Sequence, residues 1–232
     1  MVVATRQGLI CKPIADIIDQ RLVLDIPFGE GKGTFTKDLA GKGNHGTLNG
    51  GVSWKLLPSG IWVLDFDGVY DFMDCRNDVS LQITNKLTVE LWIRANQPTQ
   101  SLHYPIAKHP GWALWVDGTG PAYEHAIGIY YNNAVGAEWK DAFPSHLRET
   151  WVHLAFTYDN PNSELFVSGI SKGIRTDFSD NILTAANLNI GCRTDNAWYF
   201  NGLISEVRIY NRALSIAEIK NHFAKGKHLF GL

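Results

Sequence analysis

The chain has 232 residues, a formal net charge of −2 and an aromatic content of 12%. This near-neutral charge gives no basis for binding nucleic acid or an acidic membrane. Its longest apolar runs fall well short of the roughly 20 residues needed to cross a bilayer, so the sequence predicts no membrane span.

The first 20 residues are predicted to form an arm outside the main domain. They contain no basic stretch followed by an uninterrupted apolar run, which a secretory leader would need. Ile14, Ile17 and Ile18 could form one amphipathic turn, packed on this domain or on a neighbouring subunit. We therefore expect a chain that is made in the cytoplasm and that reaches the outside of the cell, if it acts there, by a route such as lysis.

From residue 21 onward, short stretches of alternating apolar residues are separated by turns rich in Gly, Asn and Asp. Such a series with almost no helix predicts an all-β, antiparallel sandwich or barrel. The segment at 22–26 and the one at 203–210 are expected to pair, because jelly rolls join distant parts of the chain. The predicted strands are 22–26, 61–66, 88–94, 113–116, 126–131, 151–158, 164–167, 188–190 and 203–210.

Residues 200–223 give the clearest local pattern in the chain. Leu203, Val207 and Ile209 have the period of two that places side chains on one face of a strand. Asn211 and Arg212 then interrupt the alternation. The pattern predicts a strand followed by a polar turn.

A capped helix is predicted to follow that turn. Ser215 and Glu218 have the spacing of a capping box, and apolar residues at helical spacing come after them. We expect the main domain to span residues 21–224 and a short tail to span 225–232. The apolar residues at 228–230 suit docking to a neighbouring subunit.

Five segments in this order closely resemble laminin-G-like domains of the concanavalin A-like lectin/glucanase superfamily. They are the opening LDIPF with KDLAGKGNHGTLNGGVSW, then LDFDGVYDFM, LTVELWIRA, ETWVHLAFTYD with LFVSGI, and the C-terminal run. The resemblance implies a two-sheet jelly-roll sandwich, with a short helical turn at its C-terminal end. Ser168 and Ser205 depart from the family pattern, which usually has Asn and Asp at these positions.

The glycosidases that share this fold carry paired carboxylates on one strand, in a Glu-x-Asp-x-(x)-Glu run. This chain has no such run. Glu90 is a single acid among apolar residues, and His153 has no identifiable nucleophile as a partner. The sequence therefore favours a protein that is not an enzyme and disfavours a glycoside hydrolase of the laminarinase-like type. We interpret Glu90 as outward-facing and His153 as structural or solvent-facing.

Many members of the superfamily hold Ca²⁺ with oxygen ligands, and the resemblance suggests one structural calcium site here. Its candidate ligands are Asp38, Asn44 and Glu206. The alternative is an Asx-type turn in which Asp38 and Asn44 bond to their own backbone. Ser205 beside Glu206 weakens the metal interpretation.

The region from 96 to 149 is the least similar to the family and is rich in aromatic residues. Sugar rings stack on such side chains, so this region is predicted to bind a glycan or another surface ligand. Trp139 and Tyr131 look the most exposed. The alternative is that these aromatic residues pack on the sheets or on a subunit. The candidate carbohydrate-binding residues are Trp112, Trp115, Tyr131, Asn132 and Trp139.

Trp198 and Tyr199 could be either loop contacts for a ligand or a plug over the core. Two functions therefore remain open. One is a lectin-like adhesion module, displayed on an assembled particle such as a bacteriophage virion. The other is a structural decoration or cementing protein that forms a homo-oligomer, or docks to a larger assembly through its termini, and binds no glycan.

Overall fold

A computed structural model describes most of the chain. The predicted amphipathic turn at 14–18 lies outside the described residues. A small two-stranded sheet near the N-terminus pairs β1 (Val3–Thr5) with β2 (Gly8–Ile10). The described residues are 3–5, 8–10, 19–96, 102–117, 127–131, 134–139, 149–176, 181–195 and 197–232.

Two antiparallel eight-stranded sheets form the domain, and we call the first of them sheet I. Several of its strands come from distant parts of the chain, as jelly-roll pairing requires. In spatial order, its strands are β13 (Ala134–Trp139), β12 (Ile127–Tyr131), β11 (Trp112–Asp117), β10 (Leu102–Lys108), β17 (Asn189–Ile190), β8 (Phe72–Asp74), β5 (Gly46–Asn49) and β4 (Phe35–Thr36).

Sheet II is the second layer. The predicted pairing of the segment at 22–26 with the last strand is confirmed, because β3 (Leu22–Ile26) lies antiparallel to the second half of β18 (Asn201–Tyr210). In spatial order, its strands are β16 (Ile170–Arg175), β15 (Asn162–Val167), β14 (Val152–Asp159), β9 (Lys86–Ala95), β18 (Asn201–Tyr210), β7 (Trp62–Asp67) and β6 (Ser53–Leu56), with β3 (Leu22–Ile26) beside β18.

The core lies between the two sheets, and alternation along each strand decides which side chains reach it. On β9 and β14, Leu91 lies opposite Leu154 and Val89 lies opposite Phe156, and all four are buried in the core. Apolar cross-strand pairs of this kind stabilise a sheet and fill the space between layers. The structure thus confirms the all-β, antiparallel jelly-roll sandwich.

Strand β18 does not keep the strict alternation that the sequence predicts. Val207 and Ile209 point into the core, but Leu203 packs on the opposite face of sheet II. The cause is a bulge at which the pairing with β9 shifts register, and Glu206 there has φ 49°. One extra residue reverses the faces on either side of it, so the prediction for Leu203 is wrong.

Helix α1 (Ile216–Gly226) follows β18 and covers the outer face of sheet II. Its predicted capping box is confirmed, since the Ser215 hydroxyl accepts from Glu218 N at 3.3 Å and the Glu218 carboxylate accepts from Ser215 N at 2.8 Å. Ile219 packs against Ala155 of the sheet. Within the described ranges, no helix is both long and apolar enough to cross a membrane.

The segment predicted as a tail belongs to the domain. A 3-10 turn (Lys227–Phe230) continues from α1, and the ring of Phe230 stacks on Trp92 with centroids 4.2 Å apart. Trp151 contacts Phe230 from another side, at 4.7 Å. Phe230 is therefore buried by its own sheet. Docking of the C-terminal segment onto a neighbouring subunit stays a prediction. A second 3-10 turn (Val79–Leu81) lies between β8 and β9.

The outermost strands of the two sheets, β13 and β16, are joined across one side of the sandwich. The indole nitrogen of Trp139 donates to the carbonyl of Gly173 at 3.0 Å. The guanidinium of Arg175 donates to the carbonyl of Glu138 at 3.2 Å. These bonds link an edge of sheet I to an edge of sheet II.

Candidate functional site

The tryptophans predicted to bind sugar are all buried. Trp112 lies in the main core and Trp115 lies on the outer face of sheet I. Trp139 is 5% exposed, because its ring packs edge-on against Phe156 and its N–H is bonded across to β16. The prediction that Trp139 is exposed is wrong. In this arrangement these rings have no free face for a sugar.

Of the remaining two candidates, Tyr131 and Asn132, only Tyr131 lies among the described residues. The backbone of Tyr131 ends β12, while Asn132 lies outside the described residues. Among the described candidates, the three tryptophans therefore do not form one exposed surface. Alternation along β11 explains part of this result. Trp112 and Trp115 are three positions apart, so their side chains point to opposite sides of sheet I.

A second aromatic group lies on the outer face of sheet I. Tyr104 and Trp115 are buried there with two alanines, and Trp198 packs against them while staying partly exposed. The amide of Tyr104 donates to the carbonyl of Trp198 at 3.3 Å. Trp198 therefore covers this face and also reaches the surface.

The turn before Trp198 is held in place on both sides. The amide of Arg193 donates to the carbonyl of Ala197 at 3.0 Å, which closes the turn. The amide of His109 donates to the Thr194 hydroxyl at 2.9 Å, which fixes the turn to the loop after β10. Rigid placement of this kind orients the side chains before any ligand arrives.

Tyr199 continues the aromatic surface beyond Trp198. Its ring meets that of Tyr70 edge to face, with centroids 5.9 Å apart, and Tyr70 is 68% exposed. The Asp67 carboxylate holds this second turn by accepting from the amides of Val69 at 2.7 Å and Tyr70 at 3.3 Å. Tyr70 and Tyr199 therefore form an aromatic pair at an ordered position on the surface.

Arg193 and Asp195 add charge to the same surface. Arg193 Nε donates to Asp195 Oδ1 at 2.8 Å, and its Nη2 donates to Oδ2 at 2.5 Å. This hydrogen bond raises the pKa of Arg193 and lowers the pKa of Asp195, so both groups stay ionised. Asp195 also contributes to the raised pKa of Tyr199, after burial and the neighbouring Cys192 and Tyr70.

We call Tyr70, Arg193, Asp195, Trp198 and Tyr199 the aromatic rim. Sequence reasoning missed three of these residues. Tyr70 had a signal, because it follows an Asp-Gly turn and an aromatic residue at a turn tip lies on the surface. Arg193 and Asp195 had none, since a charged pair in a turn looks the same in sequence whether it binds a ligand or only water.

The predicted metal ligands make other contacts in this structure, and the calcium site stays a prediction. The side-chain amide of Asn44 donates to the carbonyl of Val23 at 2.7 Å, and Glu206 pairs with Arg208 at 3.3 Å. The described residues contain no group of three or more His, Cys, Asp or Glu suited to a metal. The carboxylate of Asp38 accepts from the backbone amides of Asp25, Ala40, Lys42 and Asn44 at 2.9 to 3.3 Å.

These amides direct positive dipoles at the oxygens that a calcium ion would need. For Asp38 this is the Asx-type turn that the sequence offered as the alternative, whereas the Asn44 side-chain amide bonds to Val23 and Ser80 instead of its own loop. Asp38 therefore acts as a clamp that ties the 38–44 loop to β3.

The acid weighed for catalysis, Glu90, is buried beneath helix α1. Its carboxylate lies 2.8 Å from His222 Nδ1 and 3.7 Å from His153 Nε2. Burial acts to raise the pKa of Glu90, but the bond from His222 and the charges of His153 and Arg208 keep it below its ordinary value. Burial lowers the pKa of His153 to about 4. This group points away from the core as predicted, yet α1 separates it from solvent.

Comparison with known proteins gives one family and many structural neighbours. The profile of a laminin-G-like family, described as the concanavalin A-like lectin/glucanases superfamily, matches residues 67–220. No curated protein matches the sequence. Domain 4 of an extracellular GH43 arabinanase from Geobacillus stearothermophilus, solved in complex with arabinotriose, is 22% identical, with a TM-score of 0.66. The alignment covers 87% of this chain and 97% of that domain.

Two botulinum neurotoxin structures are also similar. The receptor-binding domain of a C/D mosaic serotype is 13% identical with a TM-score of 0.68, over 90% of this chain and 52% of that one. A structure of type C, whose cell entry depends on interaction with two ganglioside molecules, is 11% identical with a TM-score of 0.64, over 92% and 53%. This chain thus spans about half the length of these toxin chains. At such identities the likeness shows the fold alone.

Proposed function

Because this chain belongs to the laminin-G-like family of the concanavalin A-like lectin/glucanase superfamily, we propose that it is a non-enzymatic module that binds glycans through the aromatic rim. Family membership supports the general class, since the superfamily includes lectins. The structural neighbours add that a domain of this shape has been solved with arabinotriose bound.

One observation carries the proposal. Tyr70 and Tyr199 form an edge-to-face pair at the surface, and Tyr199 directly follows the partly exposed Trp198 in the chain. The C–H faces of sugars stack on aromatic rings, and nearby polar groups then bond to the hydroxyls. The rim supplies both elements, and Trp115 is buried in the cluster against which Trp198 packs.

The non-enzymatic part of the proposal rests on Glu90. A retaining glycosidase needs two carboxyl groups about 5 to 5.5 Å apart, facing a substrate. The side chains that pair with Glu90 are His153 of β14 and His222 of α1, so the helix covers the acid. A substrate could reach this acid only if the helix left the sheet.

A finer form of the proposal is that the module provides adhesion for a larger particle such as a virion. Its support is geometric. Helix α1 and the last turn occupy the outer face of sheet II, and the rim belongs to the side of sheet I. A particle attached at the C-terminal face would leave the rim directed outward.

The proposal is tested by a glycan array, followed by calorimetry on the strongest ligand. Tyr70→Ala and Tyr199→Ala should each weaken binding about tenfold, because each removes a stacking surface. Phe35→Ala is the matched control, since Phe35 is an aromatic residue that is 50% exposed on β4 and contacts His45 instead of the rim. It should leave affinity unchanged.

Two results would contradict the proposal. One is binding that survives both tyrosine substitutions. The other is no binding to any glycan, together with a symmetric oligomer in native mass spectrometry, which would favour the structural decoration protein. Hydrolysis of a bound glycan by the wild type would contradict the non-enzymatic part.

A further inference from the structure

We propose that the rim selects uncharged glycans, with the Arg193–Asp195 pair as the polar group that binds neighbouring hydroxyls. This inference rests on the proposed function and names the class of ligand for the same site. A site of this kind would prefer neutral sugars, such as arabinotriose, over sialylated glycans, such as those of gangliosides.

The pair has the geometry to bind two hydroxyls at once. Arg193 and Asp195 face each other through two parallel hydrogen bonds, so the guanidinium and the carboxylate lie side by side. These bonds use two of the five guanidinium donors, and the Tyr104 side chain also interacts with the guanidinium. The carboxylate retains lone pairs, and its side chain is 47% exposed, against 23% for Arg193. A hydroxyl can therefore accept from Arg193 while its neighbour donates to Asp195.

The surroundings place this pair where a stacked sugar would lie. The guanidinium carbon of Arg193 is 5.9 Å from the ring centroid of Tyr104, which packs in one cluster with Trp198. Tyr199 follows Trp198 directly, and the charge of Asp195 is one of the causes that raise the pKa of Tyr199. Because Arg193 and Trp198 lie against the same buried cluster, a sugar ring that stacks on Trp198 would lie beside the ion pair.

The charges of the rim disfavour an acidic ligand. Asp195 neutralises Arg193, and Asp67 adds a further negative charge at the base of the Tyr70 turn. Burial and the charge of Arg193 lower the pKa of His109, so this neighbouring histidine stays uncharged at pH 7. Among the described residues of the rim, Arg193 is the cation. A sialic acid carboxylate would therefore meet more repulsion than attraction.

The test uses an array that contains both neutral and acidic glycans, with lactose and 3′-sialyllactose as a matched pair that differs by one acidic sugar. The wild-type chain should bind neutral glycans, and raising NaCl from about 0.05 to 0.5 M should change its affinity less than twofold, because no ligand charge is screened. Asp195→Asn should weaken neutral binding about tenfold. The same change should shift the ratio of sialylated to neutral binding upward by about tenfold, since Arg193 loses its partner.

Asp159→Asn is the matched control, because it removes one carboxylate from an exposed ion pair with Lys86 on sheet II. It should leave both affinities and their ratio unchanged. A pair that only stiffens the turn would lower both affinities together and would leave the ratio unaltered, which would overturn the inference.

The two levels of proposal fail in different ways. If acidic glycans are the strongest ligands and Tyr70→Ala abolishes their binding, the glycan-binding function stands and the selectivity is wrong. If no glycan binds, or if binding ignores Tyr70→Ala, the proposed function itself fails.

Discussion

The outer faces of the two sheets use similar residues for different ends. On sheet II, Trp92 stacks against Phe223 and Phe230 and is buried by them. On sheet I, Trp198 covers a buried pair but remains partly exposed, and it leads to Tyr199 and the open rim. Burial by distant segments, and not residue type, therefore separates an aromatic residue that holds the fold from one that can meet a ligand.

Substitution of Trp92 should have the largest effect on the covered face. Trp92→Ala removes the ring on which helix α1 and the last turn are stacked, so we expect the free energy of unfolding to fall by about 5 kcal/mol. Chemical denaturation monitored by circular dichroism would measure this loss. If the loss were below about 1 kcal/mol, the C-terminal segment would not be part of the folded unit.

The pH dependence of stability should reveal the buried histidine on the same face. His153 has a folded pKa of about 4 against an ordinary 6.5, chiefly because burial disfavours its charged form. As pH falls, the unfolded chain therefore takes up a proton before the folded one, and stability is lost between these values. The loss should reach about 3 kcal/mol in denaturation curves recorded from pH 7 to 4.

His153→Phe provides the control for this effect. It keeps a ring beside Trp92 but cannot be protonated, so the decline in stability between pH 6.5 and 4 should become shallower than in the wild type. The charged or ionisable side chains of Glu90, Glu206, Arg208 and His222 remain around the site in the variant. An unchanged slope in the variant would mean that another group causes the pH dependence.

The open rim should give the smallest effect on stability. Tyr70→Ala removes a side chain that is mostly in water, so the midpoint of denaturation should correspond to a change of less than about 0.5 kcal/mol. The same variant should lose affinity for glycan, which separates binding from folding. A large loss of stability would place Tyr70 with the covered face instead.

The sequence was sufficient for the fold wherever a strand buries one face. Alternation in β9 and β14 placed Leu91 and Leu154 in the core, and the spacing of Ser215 and Glu218 located the start of α1. Local periodicity could not reveal the bulge at Glu206, because the register of β18 depends on its partner strand. Strand patterns therefore predict which side chains share a face within an uninterrupted stretch of strand. They do not predict the position of a bulge, beyond which the two faces are exchanged.

The site was less accessible to sequence reasoning. Trp139 looked exposed beside polar residues, but its indole bonds to Gly173, which is 34 positions away. Tyr70 and Tyr199 meet although they are distant along the chain. Alternation shows that a side chain leaves the core, yet only the folded chain shows whether another segment then covers it.

The bonds that join β13 to β16 have a consequence for copies of this domain that are held close together. Edge strands are where sheets from separate molecules can pair, and such pairing leads to aggregation. Trp139 and Arg175 engage carbonyls of the opposite sheet at this border, so a strand from a second molecule would have to break these contacts to add there. Copies held close together could then bind multivalently while the protecting bonds keep their sheets apart.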